Sequence, residues 1–477
     1  MRLRIFTVLI VIFFVRMANA QTDFENELTK ILSESEYKNA TIGIHVLDMG
    51  TGETVFGFNE HQLMIPASTI KLVTTATAYE LLGEDYRFET KIGFTGKINN
   101  SKLNGDLVVI GGGDPAMGSE YFKESYFNPH FMDVWAQKIK AFGIQQIDGN
   151  LVLDASIYND DLIPDTWIWG DIGNYYGAYA SAFTIYDNMY RVTFESPKQA
   201  GKQTKIISID PKIDSLKIAN KVISSDISRD LAYIYGSPLD DNREIRGSIP
   251  KNRKSFKVKG STPDPKEFFA NELITHLALN GVFISGKVVF LKIDRKKLMT
   301  AYIQQSPTLG EITEVLNHES VNLFAEHLLK QISSETQGQG IRDSSVSIVQ
   351  RFWKDKIPDY FFMEDGSGLS HFNAVSANDI TAILNYMYNQ SGNKKSFVSS
   401  LPMVGEGTLS GFSTELFPGE TLRAKSGSMT RVQCYAGYLK TDKGSNLAFS
   451  IMFNNFDVTQ SEIIKDIERL LYRLKSV

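Results

Sequence analysis

The spacing of hydrophobic residues predicts helices near both ends of the chain and strands between them. Two apolar-rich runs, 42–47 and 54–58, flank a short turn and predict a β-hairpin. After the hairpin, a helix is predicted from Ser68 to Gly83, where the glycine is a suitable stop. Before the hairpin, apolar positions repeat every three or four residues, as on one face of a helix. These positions are Phe24, Leu28, Ile31 and Leu32.

The pattern changes in the middle of the chain. Between residues 86 and 292, short β-rich runs alternate with glycine-bearing turns, and one helix is predicted near 268–279. Helical periodicity then returns, and Ser376 with Asp379 predicts a capping-box start for a helix over 380–388. The chain ends in strand-like alternation followed by an amphipathic helix. The predicted fold class is α/β, more narrowly α+β.

This pattern predicts one domain interrupted by another. A helix-and-sheet domain is expected from 21–88 and 293–477, with a largely β insertion at 89–292. A length of 477 residues supports more than one domain, because a single hydrophobic core rarely serves so long a chain.

The first twenty residues have the features of a cleaved signal peptide. Arg2 and Arg4 precede an apolar run over 5–15, and Ala18-Asn19-Ala20 supplies the small residues of a cleavage site. The alternative is an uncleaved N-terminal anchor. Residues 1–20 are therefore expected to direct export, to the periplasm or beyond, and the mature chain is expected to lack a transmembrane segment.

Composition excludes some functions. The formal net charge is -5 and the sequence contains no basic block, so nucleic-acid binding is not expected. The single cysteine, Cys434, cannot form an intrachain disulfide and lies in an alternating stretch typical of a buried strand. The scattered histidines, His45, His318 and His327, are expected to be packing or surface residues, so neither a metal nor a cofactor is predicted.

Three short motifs carry the candidate chemistry. Ser68-Thr69-Ile70-Lys71 places a hydroxyl and an amine at positions i and i+3 of a helix, where they share a face. The helix N-terminus disfavours a positive charge there, and an uncharged Lys71 can accept the Ser68 proton. Alone, the tetrad also fits a helix-capping serine with a solvated lysine.

The other two motifs are weak when each is taken alone. Ser320-Val321-Asn322, after a predicted loop at 317–319, also fits a simple helix cap. Lys425-Ser426-Gly427-Ser428, leading into a strand, also fits an ordinary turn. In this order, S-x-x-K, S-x-N and K-[ST]-G form the signature of class A β-lactamases and penicillin-binding proteins.

Longer segments make the resemblance more specific. The sequence resembles the D-alanyl-D-alanine carboxypeptidase/endopeptidase family of penicillin-binding protein 4-like, class C proteins, over essentially the whole mature chain, including the insertion. The segments that carry it are GDLVVIGGGDP at 105–115, WIWGD at 167–171, YYGA at 175–178, DGSGLS at 365–370 and AKSG at 424–427. The resemblance implies a β-lactamase/transpeptidase-like catalytic domain, with an antiparallel sheet flanked by helices.

The resemblance also implies an activity and a division of roles. The expected enzyme is a penicillin-sensitive D-Ala-D-Ala carboxypeptidase or endopeptidase that acts on peptidoglycan stem peptides, with β-lactams as covalent inhibitors. Ser68 would be the nucleophile, Lys71 its base, Ser320 a proton relay, and Asn322 a peptide-binding group. Lys425 would lower the pKa of Lys71 and, with Ser426, bind the substrate carboxylate. Gly427 lets the peptide lie along the strand, and the Ser68 and Ser428 N–H groups would form the oxyanion hole.

The residues expected to set substrate specificity are separate from those expected to carry the chemistry. Asp171 and Tyr176 lie where the family holds the free amine of a diamino acid, but they also fit a surface acid beside a core aromatic. His371 and Thr430 depart from residues common in relatives. Two other functions stay open, a serine β-lactamase and a catalytically idle peptidoglycan-binding protein.

Overall fold

The computed structural model describes residues 23–122, 128 and 130–477, so the predicted signal peptide lies outside the described residues. Within them the chain forms two compact units. The first unit comprises residues up to 84, 313–321 and 346–477, and the second comprises 85–312 and 322–345. The domain boundaries at 88/89 and 292/293 stay a prediction, since the compact units divide at other positions.

The first unit is built on one antiparallel sheet of five strands. In spatial order its strands are Leu422–Met429, Val432–Lys440, Asn446–Asn454, Thr41–Asp48 and Thr54–Phe58. Helices assigned wholly to this unit are 23–33, Lys71–Leu82, Ala377–Asn389, Lys394–Ser399 and Gln460–Lys475. Helices Leu309–Glu319 and Arg342–Trp353 each contribute residues to both units.

Helices cover both faces of this sheet because side chains of a strand alternate between its faces. On the strand Thr41–Asp48, Ile42, Ile44 and Val46 enter a core shared with the first and last helices. His45 points to the other face, where its Nδ1 lies 2.5 Å from Thr381 Oγ1 of the helix Ala377–Asn389. His45 is thus a buried packing residue, and burial lowers its pKa.

The second unit is mainly β and holds four small sheets. Two have three strands each: Lys205–Asp210, Met189–Ser196 and Arg253–Ser261; then Lys217–Ser225, Asn242–Pro250 and Leu231–Tyr235. A four-stranded sheet contains Phe283–Ile284, Gln146–Ile147, Lys102–Asn104 and Lys97–Asn99. A five-stranded sheet contains Val288–Phe290, Leu151–Asp154, Leu107–Ile110, Glu89–Phe94 and Met299–Gln305. Its helices are Phe131–Ala141, Trp169–Ile172, Pro265–Leu279 and Asn322–Gln337.

The predicted fold class is confirmed, and most local signals formed the expected elements. The predicted hairpin pairs as Thr41–Asp48 with Thr54–Phe58. Ser376 Oγ accepts from the Asp379 N–H, as an N-cap should, but Asp379 does not complete a capping box. Its carboxylate instead accepts the Asp359 N–H at 3.0 Å. The Asp379 carboxylate thus bonds to a residue outside the helix instead of to the backbone of its N-cap.

Among the described residues, no helix combines the length and apolar character needed to cross a bilayer. The longest of the helices in the first unit, Gln460–Lys475, is amphipathic and buries Ile463, Ile467 and Leu470 in the core. It begins with a complete capping box, in which the Thr459 hydroxyl accepts the Glu462 N–H and the Glu462 side chain accepts the Thr459 N–H.

Loss of this cap should weaken the terminal helix. Thr459→Ala is expected to lower the free energy of unfolding by about 1 kcal/mol, because it leaves helix-end N–H groups without a partner. Ser461→Ala, on an exposed position of the same helix, is the matched control and should be neutral. Urea denaturation followed by circular dichroism checks both. Equal stability of the two variants would contradict the role of the cap.

Candidate active site

Ser68 lies on a short 3-10 turn, Ala67–Ile70, which leads directly into the helix Lys71–Leu82. The sequence predicted one helix from Ser68, whereas the structure begins it with this tighter turn. Ala67 has a left-handed backbone with φ 46°, a conformation that is strained for any residue with a side chain. Ser68 remains partly exposed, although most of the turn is buried. Its hydroxyl is therefore held on a constrained but accessible backbone.

Lys71 is fully buried, which rules out a solvated lysine at this position. Its Nζ donates to Ser68 Oγ at 2.8 Å and to the carbonyl oxygen of Ser367 at 2.5 Å. The first contact follows from the i, i+3 spacing, while the second depends on a distant part of the chain. The amine is thereby directed at the serine hydroxyl.

The segment 365–370 holds the Ser367 carbonyl in place. Asp365 is buried, and its carboxylate accepts the N–H groups of Gly368 at 2.8 Å and Ser370 at 2.6 Å. Gly368 has φ 84°, and a Cβ there would lie 2.0 Å from the carbonyl oxygen of Ala67. The loop thus packs directly against the serine turn.

Sequence reasoning used this segment only as a family marker and assigned it no role at the site. The alternation of glycine with aspartate and serine was the available signal, because such residues favour tight turns closed by side-chain hydrogen bonds. That the Ser367 carbonyl accepts from Lys71 could not be inferred from that signal.

Ser320 occupies a break between two helices. The predicted loop at 317–319 is wrong: these residues form the last turn of the helix Leu309–Glu319, and the break is confined to Ser320 and Val321. Ser320 has φ 56°, so it too has a left-handed backbone. Its Oγ accepts a hydrogen bond from Lys425 Nζ at 2.9 Å.

Lys425 lies inside the strand Leu422–Met429, rather than on a turn before it. It is fully buried, and its Nζ also donates to the Ser426 carbonyl at 2.7 Å. Burial holds the pKa of Lys425 well below its ordinary value, and the positive charge of Lys71 lowers it further. The electrostatic effect of Lys71 links the Ser68–Lys71 pair to the Ser320–Lys425 pair.

Gly427 permits a close approach between this strand and the serine turn. A Cβ at Gly427 would lie 2.5 Å from the carbonyl oxygen of Pro66 and 2.9 Å from the Ser68 nitrogen. The strand is at the edge of its sheet. Its outer side pairs with residues 402 and 403 at Arg423 and Ala424, and the part beyond them can pair with an extended peptide. Ser426 is nearly buried, while Ser428 is exposed and its Oγ accepts from Gln460 Nε2 at 2.8 Å.

The remaining predicted site residues belong to the second unit. Tyr176 donates its hydroxyl to Asp171 Oδ1 at 3.2 Å, and both side chains are half-buried. Burial, followed by the charge of Asp171, raises the pKa of the Tyr176 hydroxyl. Asn322 begins the helix Asn322–Gln337, and its Nδ2 donates to the Tyr176 carbonyl at 2.8 Å. These three residues therefore form one connected group.

Other reactive residues do not add to this arrangement. Cys434 is buried on a strand, where burial raises its pKa, as expected of an inert thiol. His371 is half-buried beside the 365–370 loop, and Thr430 is exposed in the turn after Met429. Within the described residues, no group of three or more His, Cys, Asp or Glu side chains could hold a metal ion.

Known proteins with the same organisation place the chain in a family. Residues 24–474 match the D-Ala-D-Ala carboxypeptidase 3 (S13) family. A D-alanyl-D-alanine carboxypeptidase of Actinomadura sp. (strain R39) is 25% identical over 91% of this chain and 81% of its own length. Penicillin-sensitive carboxypeptidase A of Dictyostelium discoideum is 26% identical over 90% of this chain and 85% of its own length.

A solved structure agrees with this match at the level of the fold. Penicillin binding protein 4 of Haemophilus influenzae superimposes with a TM-score of 0.80 at 20% identity, covering 95% of this chain and 99% of that chain. The chain belongs to the D-Ala-D-Ala carboxypeptidase 3 (S13) family of serine hydrolases. The predicted family and enzyme class, a serine-type D-Ala-D-Ala carboxypeptidase, are confirmed.

A side chain at position 427 should disable the site without unfolding it. Gly427→Ala forces the strand away from the Ser68 nitrogen, and a displacement of about 1 Å at a catalytic centre costs about 100-fold in rate. Release of D-alanine from a D-Ala-D-Ala peptide measures the loss. Gly411→Ala, where a Cβ meets no atom within 4 Å, is the control and should retain activity. Similar rates for both variants would contradict the close approach.

Proposed function

We propose that this chain is an exported enzyme that cuts D-alanyl peptide bonds of peptidoglycan stem peptides through an acyl-enzyme on Ser68. The observation that carries the proposal is the 2.8 Å contact between Lys71 Nζ and Ser68 Oγ, made by a fully buried lysine. Export depends on residues 1–20 acting as a cleaved signal, which directs the mature enzyme to the periplasm or another compartment outside the cytoplasm.

In the first step, the uncharged Lys71 amine takes the proton of the Ser68 hydroxyl. The oxygen then attacks the carbonyl carbon of the penultimate D-alanine. The N–H groups of Ser68 and Ser428 stabilise the negative oxygen that forms, each donor being worth about 2.7–4 kcal/mol. The absence of a side chain at Gly427 supports this arrangement, because it keeps the strand close to the Ser68 nitrogen.

In the second step, the bond between the carbonyl carbon and the terminal D-alanine nitrogen breaks. Ser320 relays to that nitrogen the proton that Lys71 took from Ser68, and its hydrogen bond to Lys425 orients the hydroxyl for the transfer. Asn322 binds the peptide backbone. Water then attacks the ester on Ser68: its oxygen bonds to the acyl carbon, one of its protons goes to the Ser68 oxygen, and the shortened stem peptide is released with a free carboxylate.

Lys425 and Ser426 bind the carboxylate of the terminal D-alanine. A buried ammonium gains strongly from an incoming anion, because the pair compensates the loss of hydration. Burial and repulsion by a charged Lys71 both lower the pKa of Lys425, so Lys425 can carry its charge most readily when Lys71 is neutral, as the base must be. An incoming carboxylate then stabilises that buried charge. By the same repulsion, Lys425 lowers the pKa of Lys71.

Asp171 and Tyr176 hold the free amine of a diamino acid in the stem peptide. The Tyr176 hydroxyl donates to Asp171, which leaves the carboxylate able to accept further hydrogen bonds from an ammonium group. The contact between Asn322 and the Tyr176 carbonyl supports a link between this pair and the helix that begins after Ser320.

Penicillins should react with Ser68 in the same way as the substrate. A relative named as penicillin-sensitive supports this expectation. The alternatives differ in the fate of the penicilloyl adduct: a β-lactamase would hydrolyse it quickly, and an idle wall-binding protein would never form it. Digestion of purified peptidoglycan separates the two peptidase activities, since a carboxypeptidase removes single alanines and an endopeptidase converts dimers to monomers.

Mass spectrometry after penicillin treatment tests the acyl-enzyme. We expect one penicilloyl group on the peptide that contains Ser68, and no adduct in Ser68→Ala. Ser35→Ala, at a second S-x-x-K tetrad with an exposed lysine, is the control and should be acylated normally. Absence of an adduct from the unaltered protein would favour the idle alternative, and rapid turnover of a chromogenic cephalosporin would favour a β-lactamase.

The pH dependence of the reaction tests the role of Lys425. The folded pKa of Lys425 lies well below 10.5, so its charge is present at lower pH and is lost as pH rises through the lowered value. The kcat/KM for a D-Ala-D-Ala peptide should therefore fall on the alkaline side well before pH 10.5, with the loss appearing mainly in KM. A KM that stays constant to pH 10.5 would refute carboxylate binding by Lys425.

A further inference from the structure

Charge is distributed unevenly along this acidic chain. Residues 189–261 contain 15 Lys and Arg against 8 Asp and Glu, a net charge of +7. Since the whole chain carries -5, the remaining residues carry -12. The excess positive charge of residues 189–261 is spread over many positions and forms no basic block. It is therefore apparent only when the charges of the whole segment are counted.

The segment 189–261 folds as one small β subdomain within the second unit. It contains the two three-stranded sheets, and apolar residues from both enter a single core that includes Tyr190, Phe194, Val222 and Ile245. Because the core takes the apolar faces, the charged side chains are directed outward. On the strand Arg253–Ser261, for example, Lys257 and Lys259 are both exposed.

Five residues at this subdomain form a surface that we call the cationic platform: Trp169, Tyr175, Tyr235, Arg246 and Lys259. The rings of Trp169 and Tyr235 have centroids 4.8 Å apart. The Arg246 guanidinium lies 4.5 Å from the Tyr235 centroid and 5.5 Å from that of Trp169. Lys259 Nζ lies 5.3 Å from the Tyr175 centroid.

The aromatic rings of the platform are open to solvent. Trp169 is 52% exposed and Tyr175 is 46% exposed, which is unusual for side chains that normally dominate cores and interfaces. Exposed aromatic residues next to arginine are typical of binding surfaces. The cations hold the ring orientations through cation–π contacts, so the surface is preorganised.

Acidic side chains temper but do not cancel the positive charge. Glu244 forms ion pairs with both Arg246 and Lys221, so this group of three retains one positive charge. Asp230 lies near Tyr175, and burial raises the pKa of its carboxyl group. The local field is therefore set by the excess of the whole subdomain rather than by any single pair.

The platform is continuous with the proposed stem-peptide residues. The ring centroids of Tyr175 and Tyr176 are 5.4 Å apart, in an edge-to-face arrangement. Trp169 and Asp171 lie on the same short helix, Trp169–Ile172. When Asp171 and Tyr176 bind a stem peptide, the peptidoglycan strand that carries this peptide would therefore lie next to the exposed rings and cations of the platform.

We propose that the cationic platform binds polymeric peptidoglycan: its sugar rings stack on Trp169 and Tyr175, and carboxylates of neighbouring stem peptides pair with Arg246 and Lys259. This inference rests on the proposed function, which identifies the wall peptide as substrate. The flat C–H faces of pyranose rings match exposed aromatic rings, and the free carboxylates of the wall match the charge of the subdomain. The platform adds affinity for the polymer and plays no part in the chemistry at Ser68.

Sedimentation with purified, phosphate-free sacculi tests the platform, using Ser68→Ala so that binding is measured without cleavage. Adding Arg246→Gln and Lys259→Gln together should raise the apparent dissociation constant for sacculi about tenfold, at roughly 0.7 kcal/mol for each exposed charge. Adding Lys296→Gln and Lys297→Gln is the matched control, because it removes two exposed charges from a turn outside the subdomain. Retention of the control should equal that of the parent.

A second pair of variants tests stacking. Trp169→Ala should weaken retention at high salt as well as at low salt, whereas the loss in the charge variant should shrink as salt is raised. Phe283→Ala removes an aromatic of similar exposure from another sheet and is the control. Equal retention of platform and control variants would overturn the proposal. The proposal would also be overturned if the platform variants bound sacculi normally but lost binding to anionic phospholipid vesicles. That result would assign the surface to a membrane.

The same substitutions in the unaltered Ser68 background separate this inference from the proposed function. Penicillin labelling of Ser68 should proceed at similar rates in the charge variant, its control and the parent, which also shows that each is folded. If the parent is not labelled, the proposed function fails. If labelling is normal but sacculus retention does not depend on the platform, only the further inference fails.

Discussion

The central constraint in this protein is a fully buried lysine amine held beside a serine hydroxyl. Lys71 is fully buried and donates to both Ser68 Oγ and the Ser367 carbonyl. Burying an ammonium is costly unless polar partners surround it. Much of the surrounding structure supplies those partners or excludes solvent from them, including the 365–370 loop and the edge strand that contains Lys425.

Strain is concentrated at the same positions. Ala67 and Ser320 both have left-handed backbones, and each stands at the start or end of a helix that presents a candidate catalytic group. Such conformations persist only where the surroundings determine them, and for Ala67 the surroundings are Gly368 and Gly427, which pack closely on the serine turn. The glycines are therefore as necessary to the geometry as the reactive side chains, because any Cβ would separate the segments.

The two units differ in what they contribute. The first holds the reactive pairs on one antiparallel sheet, with apolar residues buried against both of its faces. The described residues of the second include several apolar clusters, and more of its large aromatic side chains are exposed. The candidate catalytic pairs and the proposed recognition surface thus belong to different units, although Ser320 and Asn322 are only two residues apart in the sequence.

Local spacing determined what could be predicted from the sequence. The i, i+3 relation of Ser68 and Lys71, the hairpin at 42–58 and the stop at Gly83 depend on neighbours in the chain, and the structure has them as expected. The capping signal at Ser376 was also local, but Asp379 found a tertiary partner in Asp359 instead. The helical last turn at 317–319 was missed because its end is set by a strained residue rather than by a stop signal.

Only the tertiary structure decided which distant groups meet. Three features join segments that are more than 100 positions apart: the Ser367 carbonyl that accepts from Lys71, the contact of Ser320 with Lys425, and the need for glycine at 427. No period or motif encodes such distances, since they result from packing. The sequence by itself determined the reactive groups and their local geometry, and packing decided their environment, and with it the lowered pKa of Lys425.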